Sequence, residues 1–174
     1  MTTMTPHLRR VVCALMFGLS GAAFAAPGAT FSTDRAEVGY RNIDEFSEMT
    51  RLHGVRTDWL DDLSRYVAKR ASRNVPEGAR LLVTITDVQR AGQIEPWHGP
   101  ASSDLRIVRD STPPRIDLNF RLVAANGAVL EEGTRQLRDI DFLRRAGFHR
   151  DEPLAHEKNL IDDWLRKDFG PARR

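Results

Sequence analysis

The sequence predicts an α+β fold: a two-layer sandwich whose mainly antiparallel sheet of four to five strands carries two helices on one face, in the order β-α-β-β-β-α. Three observations carry this expectation. Two segments with apolar residues at helical spacing bracket the centre of the chain. Between them the strand-like runs cluster, one with strict alternation. An Asn-Gly pair then marks the tip of a hairpin.

Ala36-Glu37-Val38-Gly39-Tyr40 reads as a short first strand. Thr57 to Asn74 reads as a helix, with Trp59, Leu60, Leu63, Tyr66, Val67 and Ala71 on one stripe. Thr57 or Asp58 supplies its start, and Pro76 with Gly78 ends it. Leu81 to Val88 is β-branched and dense in apolar residues, hence a central strand, and Leu105 to Val108 is a shorter one. In Arg115 to Val123, Ile116, Leu118, Phe120 and Leu122 alternate with Arg115, Asp117, Asn119 and Arg121, so one face is buried and the other wet.

Asn126-Gly127 predicts a type I′ turn, which needs positive φ at both residues. Paired positions then sum to 253: Arg121 opposes Glu132, Asn119 opposes Thr134, Asp117 opposes Gln136 and Phe120 opposes Gly133. This register puts Arg135 on the core side beside Leu118, which a bulge near Gly133 would relieve. Asp151 to Phe169 reads as the closing helix, capped by Asp151, with Leu154, Leu160, Ile161, Trp164 and Leu165 on its stripe and Gly170-Pro171 as its stop.

The chain has 174 residues, 41% hydrophobic and 29% charged, which is room for one domain. Its first 25 residues read as a secretory signal peptide: Arg9-Arg10, then Val11 to Phe24 without a charge, then the small residues of Ala23-Phe24-Ala25. The run falls short of the roughly 20 residues that span a bilayer. Cleavage between Ala25 and Ala26 is expected, followed by a flexible leader over 26–33, one domain over 34–170 and a tail over 171–174. Cys13, the sole cysteine, leaves with the signal, so the core alone must hold the mature chain together. Arg9 and Arg10 also account for the whole formal net charge of +2, leaving 24 basic against 24 acidic residues. A neutral chain is a poor nucleic-acid binder. A periplasmic address follows, with no transmembrane segment in the mature chain.

Arginine makes up 23 of the 26 basic residues, and Arg106, Arg109 and Arg115 gather around the third strand and its Thr112-Pro113-Pro114 turn. Guanidinium forks suit bidentate recognition of carboxylate or phosphate. Interleaved Asp104, Asp110 and Asp117 offer the other reading, solvated pairs worth about 0–1 kcal/mol. Glu95-Pro96-Trp97 precedes them, and Trp97 either forms a ligand platform or folds back as a lid. Arg106, Arg109, Arg115, Trp97 and Glu95 are therefore the candidate ligand-binding residues, for an anionic ligand or an envelope component. No catalytic residue, metal or cofactor is assigned: His156-Glu157 lacks a second histidine four residues after the first, where Leu160 stands.

The succession Glu95-Pro96-Trp97, Arg106-x-x-Arg109-Asp110, Pro114-Arg115-Ile116-Asp117-Leu118, Leu137-x-Asp139 and Asp162-Asp163-Trp164 resembles domain of unknown function family 3016. That resemblance implies a small exported protein of Gram-negative bacteria and transfers no activity. Three functions follow as expectations: a non-enzymatic binding or accessory module of the envelope, an envelope hydrolase using carboxylates such as Asp139, or a structural subunit of an envelope assembly.

Overall fold

The alternating segment of the hairpin forms the second-to-last strand of a five-stranded sheet. The computed structural model describes residues 29–51, 57–95, 106–144 and 152–170. Along the chain these form β1 (Ala29–Ser32), β2 (Ala36–Tyr40), α1 (Ser47–Arg51), α2 (Asp58–Asn74), β3 (Ala79–Gln89), β4 (Gln93–Ile94), β5 (Arg106–Ile107), β6 (Arg115–Ala124), β7 (Val129–Arg138) and α3 (Ala155–Phe169), with a 3-10 turn at Ile43–Glu45. The sheet order is β1-β2-β3-β6-β7, and β4 with β5 makes a separate ribbon.

The fold is α+β with a mixed sheet. Three of its pairings are antiparallel, but β2 runs parallel to β3, with Ala36 beside Leu81 and Tyr40 beside Ile85. The reason is the connection: the chain crosses from β2 to β3 through α2, and a strand reached by such a crossover returns in the same direction. The expected leader holds an edge strand in its second half, because Ala29–Ser32 pairs with Glu37–Gly39. The short strand around Arg106–Ile107 pairs with Gln93–Ile94 rather than joining the sheet.

One hydrophobic cluster unites the sheet with α2 and α3. Val38, Leu81, Val83, Ile85, Ile116, Leu118 and Phe120 meet Leu63, Val67 and Ala71 of α2 and Ile161, Trp164 and Leu165 of α3. Trp59 and Trp164 are both buried, as their helical phase predicts. The helices are clasped by Asp162, whose Oδ1 accepts the Tyr66 hydroxyl and the Arg70 Nε–H at 2.7 Å each. A bulge at Thr86 breaks the phase of β3, so Ile85 faces the core before it and Val88 after it. That shift turns Asp87 to the same face as its neighbour Asp117.

The hairpin has the predicted register from Arg115–Arg138 through Leu122–Glu131 and differs at its tip. Only Gly127 has positive φ (82°), and its N–H donates to the Ala124 carbonyl at 2.9 Å. This is a turn closed by one left-handed glycine, and the register shift falls between Leu122 and Val123 rather than at Gly133. Arg135 stays on the core side without a bulge. Its guanidinium lies over the Phe120 ring, 4.7 Å from the centroid, and its Nε–H donates to Asp168 at 2.7 Å. Gly133 makes this possible: a Cβ there would stand 3.1 Å from Arg135 Nη1 and 3.3 Å from Phe120 Cε1.

The last helix begins at Ala155, four residues later than expected. Leu154 has φ 60°, a left-handed conformation that breaks any helical run from Pro153, although its carbonyl still accepts the Lys158 N–H at 2.8 Å. The expected cap, Asp151, lies outside the described residues.

Candidate functional site

The polar centre of the molecule is at the far end of β3, and the topology explains why. β2 ends at Tyr40, so β3 beyond Ile85 would present a bare edge. Arg41 N–H makes a last bond to the Ile85 carbonyl at 3.0 Å, and α1 then covers the remainder. Ser47 donates its N–H and hydroxyl to Asp87 at 2.7 and 2.8 Å, while Glu48 accepts the Arg90 N–H at 3.2 Å.

Glu48 is the hub. Its side chain is 5% exposed, and Oε1 accepts Arg90 Nε at 3.1 Å, Arg90 Nη2 at 2.9 Å and Arg106 Nη2. Arg106 reaches onward to the Gly92 and Ala91 carbonyls at 2.8 and 3.3 Å. Gly92 has to be glycine, since its φ is 76° and a Cβ would meet the Ile107 carbonyl oxygen at 2.5 Å. The Arg90 guanidinium lies over Trp59, 4.6 Å from the ring centroid, which ties the hub to the start of α2. Burial depresses the Arg106 guanidinium below its ordinary value, with Glu48 opposing the shift.

Two further pairs flank the hub. Glu95, its side chain 1% exposed, holds Arg109 through both oxygens, Nη2 at 3.1 Å and Nη1 closer. Arg115 Nη2 donates to Ser47 Oγ at 2.6 Å and to Asp87. Glu157, at the first turn of α3, accepts the Ala91 N–H at 2.7 Å, and burial raises its carboxyl despite that bond.

Of the predicted residues, Arg106, Arg109, Arg115 and Glu95 thus surround one end of the sheet, and each arginine is held by an acid. The acids are Glu48, Glu95 and Asp87, not the neighbouring Asp110 and Asp117. Two of these pairs are sheltered from solvent, the Arg106 and Arg115 side chains being 19% and 28% exposed, whereas Arg109 is 52% exposed. Trp97, Asp104, His53, His98 and His149 lie outside the described residues. Asp139 closes a turn by accepting the Asp141 N–H at 3.0 Å, and His156 meets the Phe142 ring edge-on. Among the described residues no cluster of His, Cys, Asp or Glu is suited to a metal. Sequence reasoning missed Ser47, Glu48, Asp87 and Arg90. Asp87 read only as part of a strand, and Ser47, Glu48 and Arg90 belonged to no assigned element.

Asp87 gives this centre a pH signature. Burial alone would raise its carboxyl; the Ser47 N–H and hydroxyl, then Arg115, outweigh it and hold it below the ordinary value of 3.8. A depressed acid stabilises the fold above its unfolded value, and that contribution is lost as pH falls through the folded one. Asp87→Asn is therefore expected to cost about 1.5–3 kcal/mol at pH 7, the range for bonds to a charged group, and clearly less near pH 2. Urea midpoints at the two pH values check this; equal losses at both would show that the charge is not what matters. Glu157 acts with the opposite sign, adding stability as pH falls below its raised value.

No helix among the described residues is long and apolar enough to cross a membrane. Neither a curated protein nor a solved structure matches the chain. The family described as "Protein of unknown function (DUF3016)" matches residues 34–167, a span that takes in the sheet from β2 to β7 and nearly all of α3, and the chain belongs to that family.

Proposed function

We propose that this chain is an exported, non-enzymatic binding or accessory module of the cell envelope that engages an anionic partner through the Arg109 surface. The observation that carries the reading is the Arg109–Glu95 pair. Arg109 is 52% exposed, yet its guanidinium is oriented by a carboxylate that is itself 1% exposed. A cationic fork already fixed in place loses little conformational freedom when a ligand arrives, which favours recognition. The sheltered carboxylates Glu48, Glu95 and Asp87 are engaged by arginines, and Asp139 of the hydrolase reading is engaged in its turn. Export is supported by Arg9-Arg10, the uncharged run and Ala23-Phe24-Ala25.

The test has two arms. Intact mass of the protein from a periplasmic extract is expected to show a chain starting at Ala26; a chain retaining residues before Ala23 overturns export. Arg109→Lys keeps the charge over Glu95 and loses the fork. It is expected to lose the envelope component that crosslinks to the wild-type chain, with the urea midpoint nearly unchanged. Full retention of that crosslink moves recognition away from Arg109.

A further inference from the structure

A second cationic feature lies at the opposite end of the sheet. A groove of about 510 Å³ runs between the β1–β2 connection and α2, lined by Phe31, Thr33, Arg35, Arg65, Lys69 and Arg73, with Asp34 as its one acid. Leu81, beside the start of β2, and Gln89, at the polar centre, are eight residues apart on β3, roughly 26 Å at about 3.3 Å per residue. The groove is thus separate from the Arg109 surface.

Three features of the groove point to a ligand. Arg65, Lys69 and Arg73 repeat every four residues on α2, a like-charge spacing that costs an isolated helix about 0.2–0.5 kcal/mol per pair. The helix dipole favours only the last-turn member, Arg73. Arg65 is tied to Asp62 in an exposed pair at 3.3 Å, whereas Lys69 and Arg73 make no ion pair among the described residues. Arg35 donates Nη2 to the Val75 carbonyl, but its buried Nε–H has no acceptor among the described residues. Such an orphan donor costs stability until an acceptor reaches it. Finally, the half-buried Phe31 ring and the aliphatic stems of the cations give the groove an apolar lining, with the Arg65 guanidinium 5.8 Å from the Phe31 centroid.

We propose that this groove binds an anionic amphiphile, its apolar body laid along Phe31 and its phosphate held by Lys69, Arg73 and Arg35. Charge complementarity commits it to an anion, and the apolar lining commits it to more than a bare ion. The same chemistry is offered by a phospholipid headgroup in a bilayer and by a free alkyl phosphate.

Calorimetric titration of the mature protein distinguishes these. Dodecyl phosphate below its micelle concentration is expected to bind at least tenfold more tightly than dodecyl maltoside, which has the chain without the charge, or inorganic phosphate, which has the charge without the chain. The double variant Lys69→Gln, Arg73→Gln, both residues being exposed, is expected to lose at least tenfold with an unchanged urea midpoint. Co-sedimentation with phosphatidylglycerol but not phosphatidylcholine vesicles assigns the ligand to a bilayer; binding of dodecyl phosphate without co-sedimentation assigns it to a free amphiphile. Equal binding of dodecyl maltoside, undiminished binding by the double variant, or no binding to dodecyl phosphate and to both vesicles overturns the proposal. Arg109→Lys is expected to leave this binding intact, so the failure of either site is read separately from the other.

Discussion

Glu48→Ala is expected to lower stability by about 3–5 kcal/mol, the range measured when one member of a buried ion pair is removed. The loss is that large because Glu48 serves two cations and a backbone N–H at once. Without it, Arg90 and Arg106, whose side chains are 18% and 19% exposed, would face each other with no carboxylate between them. Arg106 would still have two carbonyl partners, and Arg90 would still have the Trp59 face. Neither substitutes for a counter-charge. Glu48→Gln should fall between wild type and alanine, since an amide oxygen accepts hydrogen bonds but carries no charge. Urea denaturation reads both variants, and a loss under about 1 kcal/mol for alanine would show that solvent reaches this cluster freely.

Trp164→Ala is expected to cost a similar amount, about 3–5 kcal/mol, for a different reason. The indole is 3% exposed and packs edge-on against Phe120 and Phe169, with centroids 5.9 and 5.8 Å away. Its removal leaves a cavity between α3 and β6. The Nε1–H also donates to Asp168 at 2.8 Å. Trp164→Phe keeps much of the volume and loses the bond to the Asp168 carboxylate, so its expected cost is about 1.5–3 kcal/mol. Comparing the two urea midpoints separates packing from hydrogen bonding; equal midpoints would mean that the cavity collapses.

Local periodicity wrote the two long helices and the register of the hairpin plainly. Trp59 and Trp164 follow from 3.6-residue phasing, and the register between Arg115 and Leu122 from alternation counted back from Asn126-Gly127. What local pattern cannot carry is direction and partnership. Val38 has the same alternation in a parallel or an antiparallel strand, so the parallel pairing of β2 depends on where α2 lies. β1 has only four residues of small or weakly patterned character, and no periodicity can be read from so few. The site divides the same way. Arg106, Arg109, Arg115 and Glu95 stand close together in sequence and were singled out there. Glu48 lies 42 and 58 residues from the two arginines it holds, and Asp87 lies 28 from Arg115. Only the return of the chain past the end of β3 brings them together.

The arginine on the core side of β7 carries a consequence for how substitutions combine. Gly133 leaves the space, Phe120 the ring, and Asp168 the carboxylate that Arg135 shares with Trp164. Each partner's effect presupposes the others. A side chain at position 133 would lift the guanidinium from the ring, after which truncating Arg135 would remove a contact already broken. The energies of changes at 133, 135 and 168 therefore overlap rather than add, with coupling terms of about 0.5–3 kcal/mol that a double-mutant cycle measures directly. These positions are one thermodynamic unit, free to vary together and constrained when varied singly.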